Sequence, residues 1–226
     1  VTPLTATTPA TILPTTNRVT RIPTQRLESH RNTPQPLTLG QPRCTESLSG
    51  GVRCVGLIRN PLSSTIEGIA LQVFLVNTNG ETLAQTQTAA ARLSIRPGEI
   101  SPYDALFPPS TVREDWLTDG KVTAVASLVS AKVSTHRNSP YISLKADVLE
   151  TRSGSVRIGV FNPLTRTVSQ GVVTVMVFDP LTDTLLTYRQ FALTRPISAG
   201  ATLEINAFLG SEALRDTRLI LIADGW

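Results

Sequence analysis

The sequence predicts an all-β chain, two tandem β-sandwiches preceded by an extended Thr/Pro-rich arm, and three observations predict it. Thr, Val, Ile and Leu dominate, while aromatics make up 5% and Met occurs once, among 16 Pro and 14 Gly. Branched side chains suit a pleated surface. A long stretch is also written twice. Val52-Arg53-Cys54-Val55-Gly56-Leu57-Ile58-Arg59-Asn60-Pro61-Leu62 returns as Val156-Arg157-Ile158-Gly159-Val160-Phe161-Asn162-Pro163-Leu164. Ile66-Glu67-Gly68 and the apolar run Ile69 to Val76 return as Val168 to Gly171 and Val172 to Phe178, and Gly98 returns as Gly200. The spacing between copies is 102 or 103 residues, the period of a domain and several-fold that of a solenoid repeat. Finally, the net charge of +4 is unevenly placed: residues 1–43 hold five Arg against Glu28, and residues 44–226 hold sixteen basic and sixteen acidic side chains. That pattern describes a basic arm on neutral domains.

Residues 1–36 contain ten Thr and six Pro and no aromatic residue. Such prolines forbid a long helix and interrupt a ladder, and so little apolar surface cannot offset the entropy of ordering. In polyproline-like geometry the arm would reach about 100 Å. Two roles compete for it. Ile12 and Leu13, with Arg18, Val19, Arg21, Ile22, Arg26 and Arg31, could lie along a partner's sheet edge. Alternatively the threonines could carry O-glycans on a stalk.

The first sandwich is expected over 37–133. Leu37 to Thr45 reads as its first strand, Ser47 to Gly51 as a turn and Val52 to Arg59 as its second strand. Centring that hairpin on Ser49 sets Cys44 opposite Cys54, where Cβ atoms stand about 4.5–5.5 Å apart, so a disulfide is expected. Two reduced core cysteines are the alternative; a zinc site is not expected, because only His30 and His136 could join the thiols. After Asn60-Pro61 the chain must leave its strand. Ile66 to Val76 follows as a core strand apolar on both faces, and Asn77 to Gly80 as a type I′ turn. Glu81 to Leu93 reads as a more exposed strand, and Pro97-Gly98 turns into a strand at Ile100 to Leu106. Ser110 to Leu117 reads as a helical turn capped by Ser110, Trp116 as a plug at one end of the core, and Lys121 to Ser130 as the closing strand. A short link, Val133 to Pro140, leads to the second sandwich over 140–226, with strands at Tyr141 to Glu150, Val156 to Phe161, Val172 to Phe178 and Leu219 to Ala223.

About seven short strands per copy describe an immunoglobulin-like or fibronectin-III-like sandwich. The Asn-Pro turns, the Gly-led core strands ending in Phe74-Leu75-Val76-Asn77 and Val177-Phe178-Asp179, and the Pro-Gly corner together resemble the bacterial FxLYD domain. The Asn-Pro turn is also similar to the water-stress-and-hypersensitive-response (WHy) sandwich. The resemblance spans residues 45–130 and 141–224 and lacks the Tyr of the name-giving motif. It implies a secreted or surface-exposed bacterial module with no enzymatic role, and no functional residues carry over.

Catalytic chemistry finds little purchase. Both histidines fall in expected linkers, and no nucleophile elbow, zinc-binding helix, phosphate loop or dinucleotide fingerprint occurs. Glu114 and Asp115 read as solvated surface rather than a catalytic pair. Asp179 and Asp183 could bind Ca²⁺ weakly, though hydrogen bonds to their own turn explain them better. Arginines without interleaved aromatics do not describe a nucleic-acid site. No run approaches the roughly 18 apolar residues of a membrane span. The chain is therefore expected to be a non-enzymatic, secreted or cell-surface protein without cofactor or metal. It would be a structural subunit of a surface assembly or appendage, homo- or hetero-oligomeric through its arm, its signal peptide already removed. The alternative is an adhesin or carbohydrate-binding module on a glycosylated stalk, which would need exposed aromatics from Tyr103, Tyr141 and Tyr188.

Overall fold

Alternating apolar and polar side chains, punctuated by Gly, Pro and Asn, favour strands throughout, and the computed structural model is all-β. It describes residues 36–47, 49–113, 116, 120–135, 141–210 and 216–226. Along the first half run β1 (Thr38–Leu39), β2 (Arg43–Glu46), β3 (Val52–Arg59), β4 (Ile66–Asn77), β5 (Thr82–Ala89), β6 (Ser94–Ile95), β7 (Ile100–Phe107) and β8 (Val122–Val133). The second half holds β9 (Ile142–Arg152), β10 (Ser155–Phe161), β11 (Gly171–Phe178), β12 (Leu185–Ala192), β13 (Thr202–Phe208) and β14 (Arg218–Gly225).

All pairings are antiparallel. In the first half β3 lies between β7 and the pair β1 and β2, while β4 lies between β8 and the pair β5 and β6. Their inner faces meet over a core that includes Ile58, Leu71, Val73, Tyr103 and Phe107. The second half follows the order β12-β11-β14-β9-β10-β13. Here β9 changes layers: Ile142 to Leu144 pair with β14, and Lys145 to Arg152 pair with β10. A second core, with Ile158, Val173, Val175 and Ile205, fills the space between. Residues 32–226 form one compact unit.

The repeated Asn-Pro-Leu motif has a structural cause. Asn60 is fully buried, and its Nδ2 donates to the carbonyls of Ser64 (2.8 Å) and Ile95 (2.9 Å) while Leu62 N–H donates to its Oδ1 (3.0 Å). Asn162, also fully buried, donates to the carbonyls of Arg166 (2.8 Å) and Ile197 (3.0 Å) and accepts from Leu164 N–H (3.1 Å). Gly98 and Gly200 donate their N–H to the backbone carbonyls of Asn60 and Asn162 in turn. Each copy thus uses one buried amide, its own polar atoms satisfied, to tie a strand end to a crossing loop.

Several expected elements are redrawn. The strand expected over Leu37 to Thr45 is broken at Gly40-Gln41-Pro42 into β1 and β2, since Pro cannot donate to the ladder. The Asn77 to Gly80 turn is not type I′. Gly80 alone among its residues has positive φ (82°), and Asn77 Oδ1 accepts from the N–H groups of Asn79 and Glu81 (both 2.9 Å). The side chain stabilises the turn without requiring Asn79 to be left-handed. The strand expected to run to Leu93 stops at Ala89. Ser110 is no helix cap: it lies inside a 3₁₀ turn, Pro109–Thr111. Trp116 packs, half-buried, against the first core.

Candidate interaction surfaces

The strands β4 and β11 occupy equivalent places, yet their outer faces differ. On β11, Thr174, Met176 and Phe178 are buried as fully as the inner-facing valines. The cover comes from the first half: Met176, Phe178, Leu185 and Tyr188 pack with Val55, Leu57, Ala91 and Ile100. The two halves are thereby joined through an apolar seam as well as a chain link.

Polar groups lock that seam. The Arg92 side chain is 1% exposed. Its Nε and Nη2 donate to the Asp224 carboxylate at 2.7 and 2.8 Å, its Nη1 donates to the Ile100 carbonyl at 2.9 Å, and Glu99 lies 2.8 Å from Nη2. Burial alone would lower the guanidinium pKa. The hydrogen bonds and charges of Asp224 and then Glu99 outweigh it, so the group is held cationic above its ordinary value. Nearby, Tyr188 donates to Asp104 Oδ1 (2.7 Å), whose other oxygen accepts from Arg53 Nε (3.1 Å). Burial, then the Asp104 bond, pushes the Tyr188 phenol well up. Gln190 Nε2 donates to the Ala91 carbonyl (3.0 Å), and Arg96 Nη2 to the Tyr141 carbonyl (2.8 Å).

Beside the Arg92–Asp224 pair lies a cavity of about 130 Å³, bordered by Tyr141, Gln190 and Trp226. Tyr141 and Trp226 meet edge to face, 6.0 Å between centroids, and the indole N–H donates to Gln170 Oε1 (2.8 Å). The volume falls below the roughly 300–1,000 Å³ of small-molecule pockets, and the polar atoms of Arg92, Gln190 and Trp226 around it already have partners within the chain.

Among the described residues two sheet faces are left uncovered, and they contrast. That of β9, β10 and β13 is ionic: Glu150 pairs with Arg152 (2.6 Å) and Arg157 (3.3 Å), and Arg157 with Glu204 (3.6 Å). The Arg152 bond holds the Glu150 carboxyl below its usual value. The outer face of β4, β5 and β8 presents Ala70, Gln72, Phe74, Val76, Leu83, Gln85, Gln87, Ala89, Thr123, Val125, Ser127 and Val129, with charge confined to one end, where Glu67 and Lys132 are opposed.

The residues singled out from the sequence divide three ways. Cys44 and Cys54 are directly opposed and form the disulfide. Ile12, Leu13, Arg18, Val19, Arg21, Ile22, Arg26 and Arg31, together with His30, Glu114, Asp115 and His136, lie outside the described residues. Of the tyrosines, Tyr103 is fully buried, Tyr188 is 9% exposed and Tyr141 is half-buried. Asp179 accepts from Leu181 N–H (2.8 Å) and Thr182 N–H (3.3 Å), which holds its carboxyl below the usual range, and Asp183 pairs with Arg218. Asp179 therefore serves its own turn, whereas the Asp183 side chain ties that turn to Arg218 of β14. Among the described residues no three His, Cys, Asp or Glu side chains are grouped to hold a metal. Sequence reading missed Arg92, Asp224 and the seam, since an Arg in a loop and an Asp closing an apolar strand carry no local mark of pairing 132 residues apart.

No protein-family model matches the chain, nor does any curated protein. Among solved structures it is similar to a red sea bream transglutaminase at 12% identity and a TM-score of 0.28, over 82% of this chain and 31% of that one. It is similar also to a calcium-binding mutant of Bacteroides uniformis β-glucuronidase 2 at 11% identity and a TM-score of 0.22, over 80% and 26%. The chain spans less than a third of either protein's length.

Proposed function

We propose that the chain is a non-enzymatic extracellular structural subunit: two tandem sandwiches of FxLYD-like or WHy-like type form its body, and the N-terminal arm packs on a neighbouring subunit of a surface assembly. The observation that carries this reading is the seam. Apolar burial together with a buried bidentate ion pair joins the halves into one compact unit, which suits an element that transmits position between partners. The Cys44–Cys54 disulfide favours an oxidising compartment. The Arg-rich, Thr/Pro-spaced composition of residues 1–36 suits uptake along a neighbour's sheet edge.

Limited proteolysis with mass spectrometry tests this on the isolated chain and on material extracted from its source. Cleavage at Arg18, Arg21 or Arg26 in isolation, with protection in the native material, is expected. Equal cleavage in both removes the assembly role, and hexose mass on the arm threonines in that case establishes the stalk instead. Of the three tyrosines that the carbohydrate-binding alternative calls on, Tyr103 and Tyr188 are buried, and Tyr141, edge to face with Trp226, is half-buried.

A further inference from the structure

The outer face of β3 is apolar in the middle and cationic at both ends. Strand alternation puts Arg53, Val55, Leu57 and Arg59 on it, and the register adds Arg43, opposite Val55, and Thr38, opposite Arg59. At one end Arg53 is engaged: its Nε donates to Asp104 at 3.1 Å and its guanidinium lies over the Tyr188 ring. At the other end Arg59 is exposed, and among the described residues its guanidinium makes no hydrogen bond or ion pair. β14 lines the other side with Arg218 and Ile220; Arg218 pairs with Asp183 and lies over the Phe178 ring at 5.0 Å. Between them runs a groove in two lobes that meet at Gly40, Leu57 and Asp183. One lobe, of about 400 Å³, passes Arg43, Val55 and Leu57. The second, of about 260 Å³, passes Leu57, Arg59, Arg218 and Ile220. Leu57 and Ile220 are half-buried and give the groove its apolar floor.

We infer that this groove takes an extended acidic segment of a partner protein, with one carboxylate against Arg43, an apolar side chain on Leu57 and a second carboxylate against Arg59. The inference deepens the proposed role and rests on it for the source of the segment. Spacing sets the pattern. Arg43 stands beside Val55, four residues along β3 from Arg59, which is about 13 Å of strand. Side chains i and i+4 of an extended peptide are equally far apart, and i+2 points to the same side. Charge sets the sign. Three arginines line the groove against Asp183, which is committed to Arg218. Asp179, within electrostatic reach of Arg43, is bonded inside its own turn. A basic segment would meet like charge, and residues 1–35, with four Arg against Glu28, carry the groove's own sign.

The test titrates the full chain into a fluorescein-labelled Glu-Ser-Leu-Ser-Glu amide and follows anisotropy. Saturable binding that weakens as salt rises is expected. An unlabelled Glu-Ser-Leu-Ser-Glu amide should compete, a Lys-Ser-Leu-Ser-Lys amide should not, and a Glu-Ser-Ser-Ser-Glu amide should compete less well. Arg43→Gln and Arg59→Gln, both at exposed positions, should each weaken binding roughly three- to tenfold and leave the urea midpoint unchanged. An acidic peptide that binds no better than the lysine peptide, or arginine variants that bind as the parent does, would overturn the inference. Neither result bears on protection of Arg18, Arg21 or Arg26 in native material, so failure of the groove and failure of the assembly role are read separately.

Discussion

Replacing Asp224 by Ala strands a charge inside the seam. Arg92, 1% exposed at its side chain, would lose both bonds to the carboxylate, at 2.7 and 2.8 Å, and would keep Glu99 at 2.8 Å and the Ile100 carbonyl at 2.9 Å. Each hydrogen bond to a charged group contributes about 1.5–3 kcal/mol, and breaking a buried pair costs about 3–5 kcal/mol. With Glu99 still neutralising the guanidinium, the lower end applies, a loss of about 3 kcal/mol. At a urea m-value near 2 kcal/mol/M the midpoint should fall by about 1.5 M. Hydrogen exchange should quicken first on β11 and β14, whose outer face the first half covers. Arg92→Met combined with Asp224→Leu should recover part of the loss, because no charge is then left fully buried; Glu99, 29% exposed, keeps Arg96, and the Ile100 carbonyl loses the guanidinium donor. A midpoint for Asp224→Ala within about 0.3 M of the parent would refute the reasoning, showing that water or Glu99 alone satisfies Arg92.

Three further outcomes are expected. Asn60→Leu or Asn162→Leu should each cost roughly 1–3 kcal/mol in chemical denaturation, since at each site two carbonyls lose a side-chain donor and one N–H loses its acceptor; a loss under about 0.5 kcal/mol would mean the amides are dispensable. Gly56→Ala should destabilise by about 1–3 kcal/mol, because its Cβ would stand 2.4 Å from the Tyr103 hydroxyl across the strand pair, and Gly56→Ala with Tyr103→Leu should restore part of it. Burial pushes the Tyr103 phenol up to about 12 from its usual 10, and Tyr188 moves the same way. The folded state therefore binds more protons than the unfolded state between pH 10 and 12. Stability should be undiminished by these groups below pH 10 and fall as pH rises through that window; phenolate absorbance that develops fully for all three tyrosines near pH 10 in the folded protein would contradict this.

The sequence by itself determined where most strands and turns fall and the disulfide partner, because these depend on neighbours a few residues away: side-chain alternation, Gly and Pro punctuation, and the short hairpin that opposes Cys44 to Cys54. It also marked Asn60 and Asn162 by repetition, though as turn residues. That their amides are buried hubs follows from the loops at Ile95 and Ile197 returning over them, a long-range contact that no local pattern encodes. Ile66 to Val76 reads apolar on both faces, and only packing decides which is covered. In β11 the outer face meets the first half, while in β4 the equivalent side chains stay only partly buried. Arg92 and Asp224 were illegible for the same reason. A charge pair across a seam is specified by how two sheets stack, and stacking is set by the summed shape of both faces rather than by any one stretch of chain.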